Sequence, residues 1–318
     1  GDKRIGVVVP AFNEEKLVGR VIETMPDFVD RIYVVDDCSR DATCDRVRSY
    51  LNQPSMNRRL ELIQQTTNRG VGATIVTGYQ KAIEDGIDVV AVMAGDAQMD
   101  PADLSRVVQP VTTGKADYVK GNRLFTGEAW RMIPRCRYLG NALLSLLTKI
   151  ASGYWHVADS QTGYTAISSE AIRLLPLDKI YPRYGYPNHL LVMLNVFDLR
   201  VKDVPVRPIY SIGERSGIRL WNVIPRLSWL LIKYFFWRLT EKYIIRDFHP
   251  LVFFYLLGLI LFPAGLVTGL CLIYYRFFIG PVAATSALFA VFLFVSGLQS
   301  LFFAMWFDME YNKDLKVQ

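Results

Sequence analysis

The chain has 318 residues, 51% of them hydrophobic and 21% charged, with 36 Lys and Arg against 30 Asp and Glu for a net charge of +6. So apolar a composition excludes a disordered chain, and the length holds one large domain or two. Two runs carry no charged residue, 25 positions from Leu251 to Tyr275 and 31 from Phe277 to Phe307. At about 1.5 Å of rise per residue, each crosses a hydrocarbon core of roughly 30 Å, so a purely soluble chain is excluded on this reading.

Residues 5–9 form a short apolar run closed by Pro10, and this predicts a buried strand. Leu17, Val21, Ile22 and Met25 have helical spacing over 15–25. A second strand over 31–35 ends at Asp36-Asp37, a helix follows near 41–51, and a third strand covers 60–64. Asn68-Arg-Gly-Val-Gly72 is a turn that opens a helix reaching about Glu84, and the strand 89–93 leads to Gly95-Asp96. Strands alternating with helices of this length predict an α/β, Rossmann-like and mostly parallel sheet covered on both faces. Ligands of such sheets bind beyond the carboxyl ends of the strands.

After 116–120 the pattern becomes α+β, with a helix around 135–151 and an acidic turn at 159–163. Residues 219–246 predict one long aromatic helix, started or kinked by Pro225. Its cations Arg219, Arg226 and Lys233, seven apart, share a face. That pattern suits a helix lying in the headgroup plane. Two membrane helices follow, parted by a tight turn near Arg276–Gly280.

Between Leu199 and Arg246 ten basic residues face three acidic ones. Basic sequence next to an apolar span fits the cytosolic side of a membrane. Because this charge abuts the span and interleaves with Trp221, Trp229 and Trp237, nucleic acid is not its expected partner. The start Gly-Asp-Lys-Arg runs directly into strand-like sequence, so the expectation is no export signal and a domain on the cytosolic face. The four cysteines (38, 44, 136 and 271) are scattered, which predicts neither a zinc site nor a disulfide framework. His156, His189 and His249 are isolated and are expected to be structural.

The first strand-to-helix turn, Val9-Pro-Ala-Phe-Asn-Glu-Glu15, lacks the glycine-rich loop of dinucleotide oxidoreductases. It offers a Pro-fixed backbone, an aromatic to line a base and carboxylates for ribose hydroxyls. Asp36, Asp37 and Ser39 add acceptors at the next strand end. Asn13 and Ser39 as plain helix caps are the alternative. Four polar turns at one sheet edge favour a nucleotide-sugar site. In Gly95-Asp-Ala-Gln98 a carboxylate and an amide oxygen two positions apart suit Mg²⁺ or Mn²⁺ bridging a diphosphate. Asp100-Pro101 reads as the cap and first residue of the next helix.

Taken in order, Val-Val-Val-Pro-Ala-Phe-Asn-Glu-Glu (7–15), Val-Asp-Asp-Cys-Ser (35–39), Asn-Arg-Gly-Val-Gly (68–72) and Gly-Asp-Ala-Gln-Met-Asp-Pro (95–101) resemble the inverting family 2 glycosyltransferases of GT-A fold. Gly121-Asn-Arg123, Asp159-Ser-Gln-Thr-Gly-Tyr164 and the two apolar runs narrow the resemblance. It is to the polyprenyl-phosphate group that includes dolichol-phosphate mannose synthase and undecaprenyl-phosphate glucosyltransferase. The resemblance implies that Pro10, Phe12, Glu14, Asp37, Arg69 and Asp96 border the nucleotide sugar, and that Asp96 and Gln98 hold the metal. Ala94 departs from the family, which carries an acid two positions before Asp96. The missing carboxylate weakens the metal, shifts it onto Asp96, Gln98 and the diphosphate, or marks a partly degenerate site.

A lipid monophosphate carries about −1.5 to −2 at pH 7 and is already a nucleophile, so it needs cations to place it rather than a general base. Arginine suits that task. Arg123 and Arg137, with Asn141 four residues on, resemble the family's acceptor-phosphate clamp. Arg215 and Arg219 resemble its basic closing loop, and Asp159 is expected to face the sugar or orient acceptor groups. Arginines that merely face headgroups, and a plain turn role for Asp159, are the alternatives.

The resulting expectation is a GT-A catalytic domain over 1–210, a basic loop with interfacial helices over 211–248, a transmembrane hairpin over 249–308 and a cytosolic tail over 309–318. The expected reaction moves a hexose, mannose or glucose, from a GDP- or UDP-sugar to a polyprenyl phosphate with inversion. The partners are the nucleotide sugar, the lipid and the membrane, and a homo-oligomer is left open. A processive or other-acceptor transferase is one alternative, although the chain has no Q-x-x-R-W and few spans. A weakly catalytic nucleotide-sugar-binding scaffold is the other.

Overall fold

The computed structural model describes residues 3–54, 56, 58–124, 135–209 and 220–317, with the backbone alone at 135–142 and 220–224. The chain forms two compact units, Gly1–Phe235 with Asp314–Gln318, and Phe236–Lys313.

The first unit is built on a seven-stranded sheet in the order β3-β2-β1-β4-β6-β5-β7. Its strands are β1 (Ile5–Ala11), β2 (Arg31–Asp36), β3 (Leu60–Gln64), β4 (Val89–Val92), β5 (Tyr118–Asn122), β6 (Thr165–Ser168) and β7 (Val201–Pro205). Pairings among β1 to β4 are parallel, as is β5 with β7. Only β6 runs antiparallel, inserted between β4 and β5. The sheet is therefore mixed but mostly parallel. Its central strands are apolar throughout because both faces are covered: Val7, Val8, Val9, Val34, Val35, Val89 and Val90 are fully buried.

The covering helices are α1 (Val18–Glu23), α2 (Thr43–Leu51), α3 (Val71–Glu84), α4 (Leu104–Thr112), α5 (Arg135–Ser152), α6 (Ser169–Leu174) and α7 (Tyr186–Val196). Asp100 caps the single 3₁₀ turn before α4, its carboxylate accepting from Ala102 N at 3.0 Å, with Pro101 in first place. That is the cap read from the sequence. Near the C-terminus Lys316 bridges to Val201 in parallel, so the tail lies along β7.

Helix α8 (Leu220–Thr240) begins in the first unit. Leu227 and Leu231 are buried along it, whereas Trp229 is 71% exposed. The predicted helix over 219–246 is not continuous, because a π-helical turn, Glu241–Arg246, follows Thr240. In the second unit that turn brings the neighbours Lys242 and Tyr243 both inward. Lys242 Nζ donates to Asn312 Oδ1 at 2.9 Å, and Arg238 forms two bonds with Asp308, at 2.8 and 2.9 Å, with both side chains fully buried. A regular α-helix sets successive residues about 100° apart and does not aim both at one network.

Helices α9 (Leu251–Phe278) and α10 (Ala284–Tyr311) form the apolar hairpin of the second unit, each long and apolar enough to cross a membrane. Glycines set their contact. A Cβ on Gly265 would meet the backbone of Phe294, one on Gly297 the backbone of Phe262, and one on Gly258 the side chain of Leu301. Without a hydrophobic force between helices in lipid, such small residues let backbones approach and gain dispersion contact.

Candidate active site

The first site element is the edge where β1, β2 and β4 end. Asn13 adopts φ 58° and Cys38 φ 64°, and the two turns that hold them are laced together. Asn13 N donates to Ser39 Oγ at 2.8 Å, and Asn13 Oδ1 accepts from Arg40 N at 2.9 Å. Asn13 and Ser39 therefore join two loops rather than capping helices. Pro10 lies within β1, and Phe12 stands 45% exposed just beyond it, free to cover a flat ligand.

Asp37 is buried, and its two carboxylate oxygens accept from Arg69 N at 2.7 Å and Gly70 N at 2.9 Å. Gly70 has φ 92°, a left-handed conformation that glycine adopts without strain, and this turns its N–H toward the carboxylate. Asp37 thus fixes the loop that presents Arg69, and each of its oxygens keeps a lone pair.

The loop after β4 carries Asp96. Gly95 N donates to Pro10 O at 3.0 Å, tying the loop to β1, and Ile209 N donates to Gln98 O at 2.9 Å from the other side. Asp96 Oδ1 accepts from Gln98 N at 3.1 Å, a turn that Ala97 completes at φ 55°. Asp96 and Gln98 are both half-buried. Burial, with Asp96 and Asp41 adding like charge, pushes the Glu14 carboxyl up to about 7. A cation bound between Glu14 and Asp96 would relieve the part of this shift that comes from like charge. Among the described residues no group of three or more His, Cys, Asp and Glu side chains is placed to hold a metal ion. Asp96 and Gln98 therefore offer two hard oxygens, which suits a cation completed by phosphate oxygens and water. Ala94 lines this loop with a methyl group, and its N–H points to Met99 Sδ at 3.3 Å.

The second element lies beyond β5. Arg123 grips Asp159 with Nε to Oδ2 at 2.7 Å and Nη2 to Oδ1 at 3.1 Å. Burial would raise the Asp159 carboxyl, but the guanidinium overcomes that and holds it below the usual range. Under this pair lies Lys120, fully buried, with Nζ donating to Thr162 O at 2.6 Å. Burial pushes that amine down to about 8. Asp203 accepts from Asn122 Nδ2 at 2.8 Å and from Ala158 N at 3.3 Å, and burial pushes its carboxyl up to about 6.

The sequence reading passed over Lys120 and Asp203. One signal for Lys120 was present, since Tyr118, Lys120 and Asn122 alternate along a strand and so share one face. The three histidines serve structure: His156 Nε2 lies 2.9 Å from Val201 O, His189 Nδ1 accepts from Tyr181 N, and His249 Nδ1 accepts from Leu251 N. Arg137 and Asn141 lie on α5 where only the backbone is described. Arg215 and Arg219 lie outside the described residues.

A mixed sheet of this order, with an acidic loop after β4 and a guanidinium–carboxylate pair after β5, defines a GT-A glycosyltransferase domain. Residues 6–175 match the family described as Glycosyl transferase family 2, and the chain belongs to that family. It is 31% identical over 233 residues to a UDP-N-acetylglucosamine–dolichyl-phosphate N-acetylglucosaminyltransferase of Methanococcus voltae, covering 70% of this chain and 92% of that protein. It is 28% identical over 208 residues to an undecaprenyl-phosphate mannosyltransferase of Micrococcus luteus, covering 64% of this chain and 82% of the relative. Among solved structures it is similar in fold to glucosyl-3-phosphoglycerate synthase from Mycobacterium tuberculosis, crystallised with Mn²⁺ and UDP. There the TM-score is 0.54 at 20% identity, over 74% of this chain and 80% of that one.

Proposed function

We propose that the protein transfers a hexose from a UDP- or GDP-sugar to a polyprenyl phosphate, with inversion at the anomeric carbon. The observation that carries this reading is the pairing of two unlike sites on one sheet. A crowded acidic loop at Asp96 suits a cation with a nucleoside diphosphate, and a guanidinium at Arg123 suits a phosphate. The Methanococcus and Micrococcus relatives, named as transferases to dolichyl phosphate and undecaprenyl phosphate, support the acceptor.

In the reaction an acceptor phosphate oxygen attacks C1 of the sugar. The new bond is C1–O–P of the lipid, and the bond to the nucleoside diphosphate breaks with its electrons on the leaving oxygen. The attacking phosphate is already ionised, so no residue removes a proton. Pro10 and Phe12 border the base, Glu14 and Asp37 the ribose side, and Arg69 the phosphates. Asp96 and Gln98 would hold Mg²⁺ or Mn²⁺, which would supply charge stabilisation to the departing diphosphate. Arg123, Arg137 and Asn141 place the acceptor phosphate, Asp159 orients Arg123, and Arg215 and Arg219 close over the phosphates.

The catalytic domain works at the cytosolic face of a membrane crossed by α9 and α10. Two spans return a chain to the side it left, and the pairing of Lys316 with Val201 fits such a return. The solved neighbour crystallised with Mn²⁺ and UDP supports a divalent metal.

The test is incubation of the detergent-purified protein with polyprenyl phosphate, Mg²⁺ or Mn²⁺ and a panel of UDP- and GDP-hexoses. Lipid-linked sugar and released nucleotide are both followed. Product with one donor, lost in Asp96→Ala and Arg137→Ala, is expected. A folded protein that binds nucleotide yet turns over no donor would refute the reading and leave Ala94 as its explanation.

A further inference from the structure

A cavity of about 330 Å³ lies within the first unit, and none of its described lining residues belongs to the Asp96 loop. Its walls come from the start of α3 at Gly70 and Val71, the 181–185 loop, and the first turns of α8. Two arginines line it, Arg183 from the loop and Arg226 from α8, and no acidic residue lines it among the described residues. Both arginines are exposed, and neither guanidinium has a hydrogen-bond or carboxylate partner among the described residues. Elsewhere in the unit Arg31 pairs with Glu61 and Asp85, and Arg200 with Asp117.

The walls are tied to one another. Pro182 O accepts from Ala73 N at 3.1 Å, fastening the loop to the first turn of α3. Gly185 sits so close under α8 that a Cβ there would press on Leu227 and Leu230. His189 stacks on Tyr234 with ring centroids 3.8 Å apart, which docks the same helix one turn further along. The cavity is thus a formed recess with two guanidinium groups at its mouth that no described carboxylate compensates. Guanidinium groups favour phosphate oxygens through paired N–H donors.

The surface around the recess indicates where that phosphate comes from. Trp229, 71% exposed, and Ile232, 46% exposed, follow Arg226 at helical spacing on α8, and Tyr184 at the rim is 45% exposed. Exposed tryptophan and tyrosine beside cations and apolar side chains characterise the level of lipid headgroups.

We propose that this cavity, which abuts the Arg69–Gly70 turn, binds the phosphate of an anionic bilayer phospholipid between Arg183 and Arg226, a ligand distinct from both donor and acceptor. The bilayer as the source rests on the membrane reading given above, whereas the phosphate chemistry rests on the cavity alone. The site would fasten α8 to the headgroup layer.

Native mass spectrometry of the full-length, delipidated protein in detergent tests this without any turnover. The protein is offered phosphatidylglycerol and phosphatidylcholine in equal amounts, and retained lipid is counted. The expected result is preferential retention of phosphatidylglycerol. Each of Arg183→Gln and Arg226→Gln should lower that preference about five-fold, and the double variant more than about ten-fold. The charge-matched pair Lys16→Gln and Lys115→Gln should leave it intact. Arg183→Lys with Arg226→Lys, which keeps the charge, should restore part of it and guards against a folding defect, as does an unchanged thermal midpoint.

Equal retention of the two lipids by the wild type, or an unchanged preference in the glutamine double variant, would overturn the proposal. Loss of the preference on adding inorganic phosphate at the lipid's concentration would reassign the site to a soluble phosphate and overturn the lipid source. A raised KM for polyprenyl phosphate in phosphatidylcholine nanodiscs, with phosphatidylglycerol retention unaltered, would assign the arginines to the acceptor instead. An inactive protein that still shows the arginine-dependent preference would refute the transferase reading and leave this one standing.

Discussion

The hydroxyl of Tyr164 donates to the backbone carbonyl of Asp100 at 2.9 Å, while the carbonyl of Tyr164 accepts from Gly121 N at 2.8 Å. One buried residue thereby ties the end of the Asp96 loop to the strand that leads into Arg123. The Asp96 loop and the Arg123 strand end are thus held together through it.

Tyr164→Phe removes the hydroxyl and keeps the ring. Asp100 O retains a second donor in Asp103 N, so the stability cost should be only about 1 kcal/mol. The effect on turnover should be larger, roughly ten-fold in kcat, because small misplacements of reacting groups are costly. Equal kcat in the two proteins, measured as lipid-linked sugar formed, would show that this tether does not set the geometry.

Asp96→Ala should abolish turnover by more than roughly 100-fold and remove the metal dependence of nucleotide binding. Ala94→Asp tests the converse. It adds an acid at the half-buried position beside the loop, and should lower the Mg²⁺ or Mn²⁺ concentration that supports half-maximal activity. Metal titrations with and without nucleotide measure both effects.

Lys120 makes stability depend on alkaline pH. Burial lowers its amine from 10.5 to about 8, so between those values the unfolded chain binds more protons than the native one, and stability rises with pH. Below about 8 the amine is protonated in both the folded and the unfolded chain, and the folded one bears the full desolvation cost. The groups that act on it are Asp159, which favours the charged form, Arg123, which opposes it, and Asp203. The gain across the window is on the order of 3 kcal/mol. Thermal midpoints of the wild type and Lys120→Met, taken from pH about 7.5 to about 10, should diverge. The wild type should rise relative to a flat variant, and parallel curves would contradict the assignment.

Asp159→Asn keeps the shape of the turn but takes the charge from under Arg123. The carboxyl is held below its unfolded value, so its contribution is present above the usual carboxylate range and fades as pH falls through the folded value. The variant should lose about 2 kcal/mol at neutral pH and show a shallower acid limb in thermal unfolding. Its KM for the acceptor should rise more than its KM for the donor.

Gly297→Leu should part the apolar hairpin, since a side chain there runs into the backbone of Phe262. The expected outcome is a lower thermal midpoint in detergent with the isolated nucleotide-binding signal preserved. Leu substitution at Gly269, where a Cβ meets nothing within 4 Å, is the control.

Much of the sheet was legible because its strands are short apolar runs with polar ends. The runs at 5–9, 31–35 and 60–64 all reappear as β1, β2 and β3, with β1 extended to Ala11. The cap at Asp100-Pro101 was legible for the same reason: it is made by residues two apart. Asp37 is expected from the sequence to offer an acceptor to a base or ribose, but its bonds to the amides of Arg69 and Gly70 were not legible, because those amides arrive from more than thirty residues away. Lys120 looked like an ordinary strand lysine, and only the turn at Thr162 shows why it is enclosed.

The sequence by itself determined what neighbouring residues decide: which segments are strands or helices, where carboxylates cluster at strand ends, and where 28-residue apolar helices could form. Those follow from local propensity and hydrophobic period. Tertiary structure alone decided the antiparallel insertion of β6 between β4 and β5, the grip of Arg123 on Asp159 and the π-helical turn after Thr240. Each depends on groups far apart in the chain whose mutual burial, not their local preference, fixes the lowest free energy.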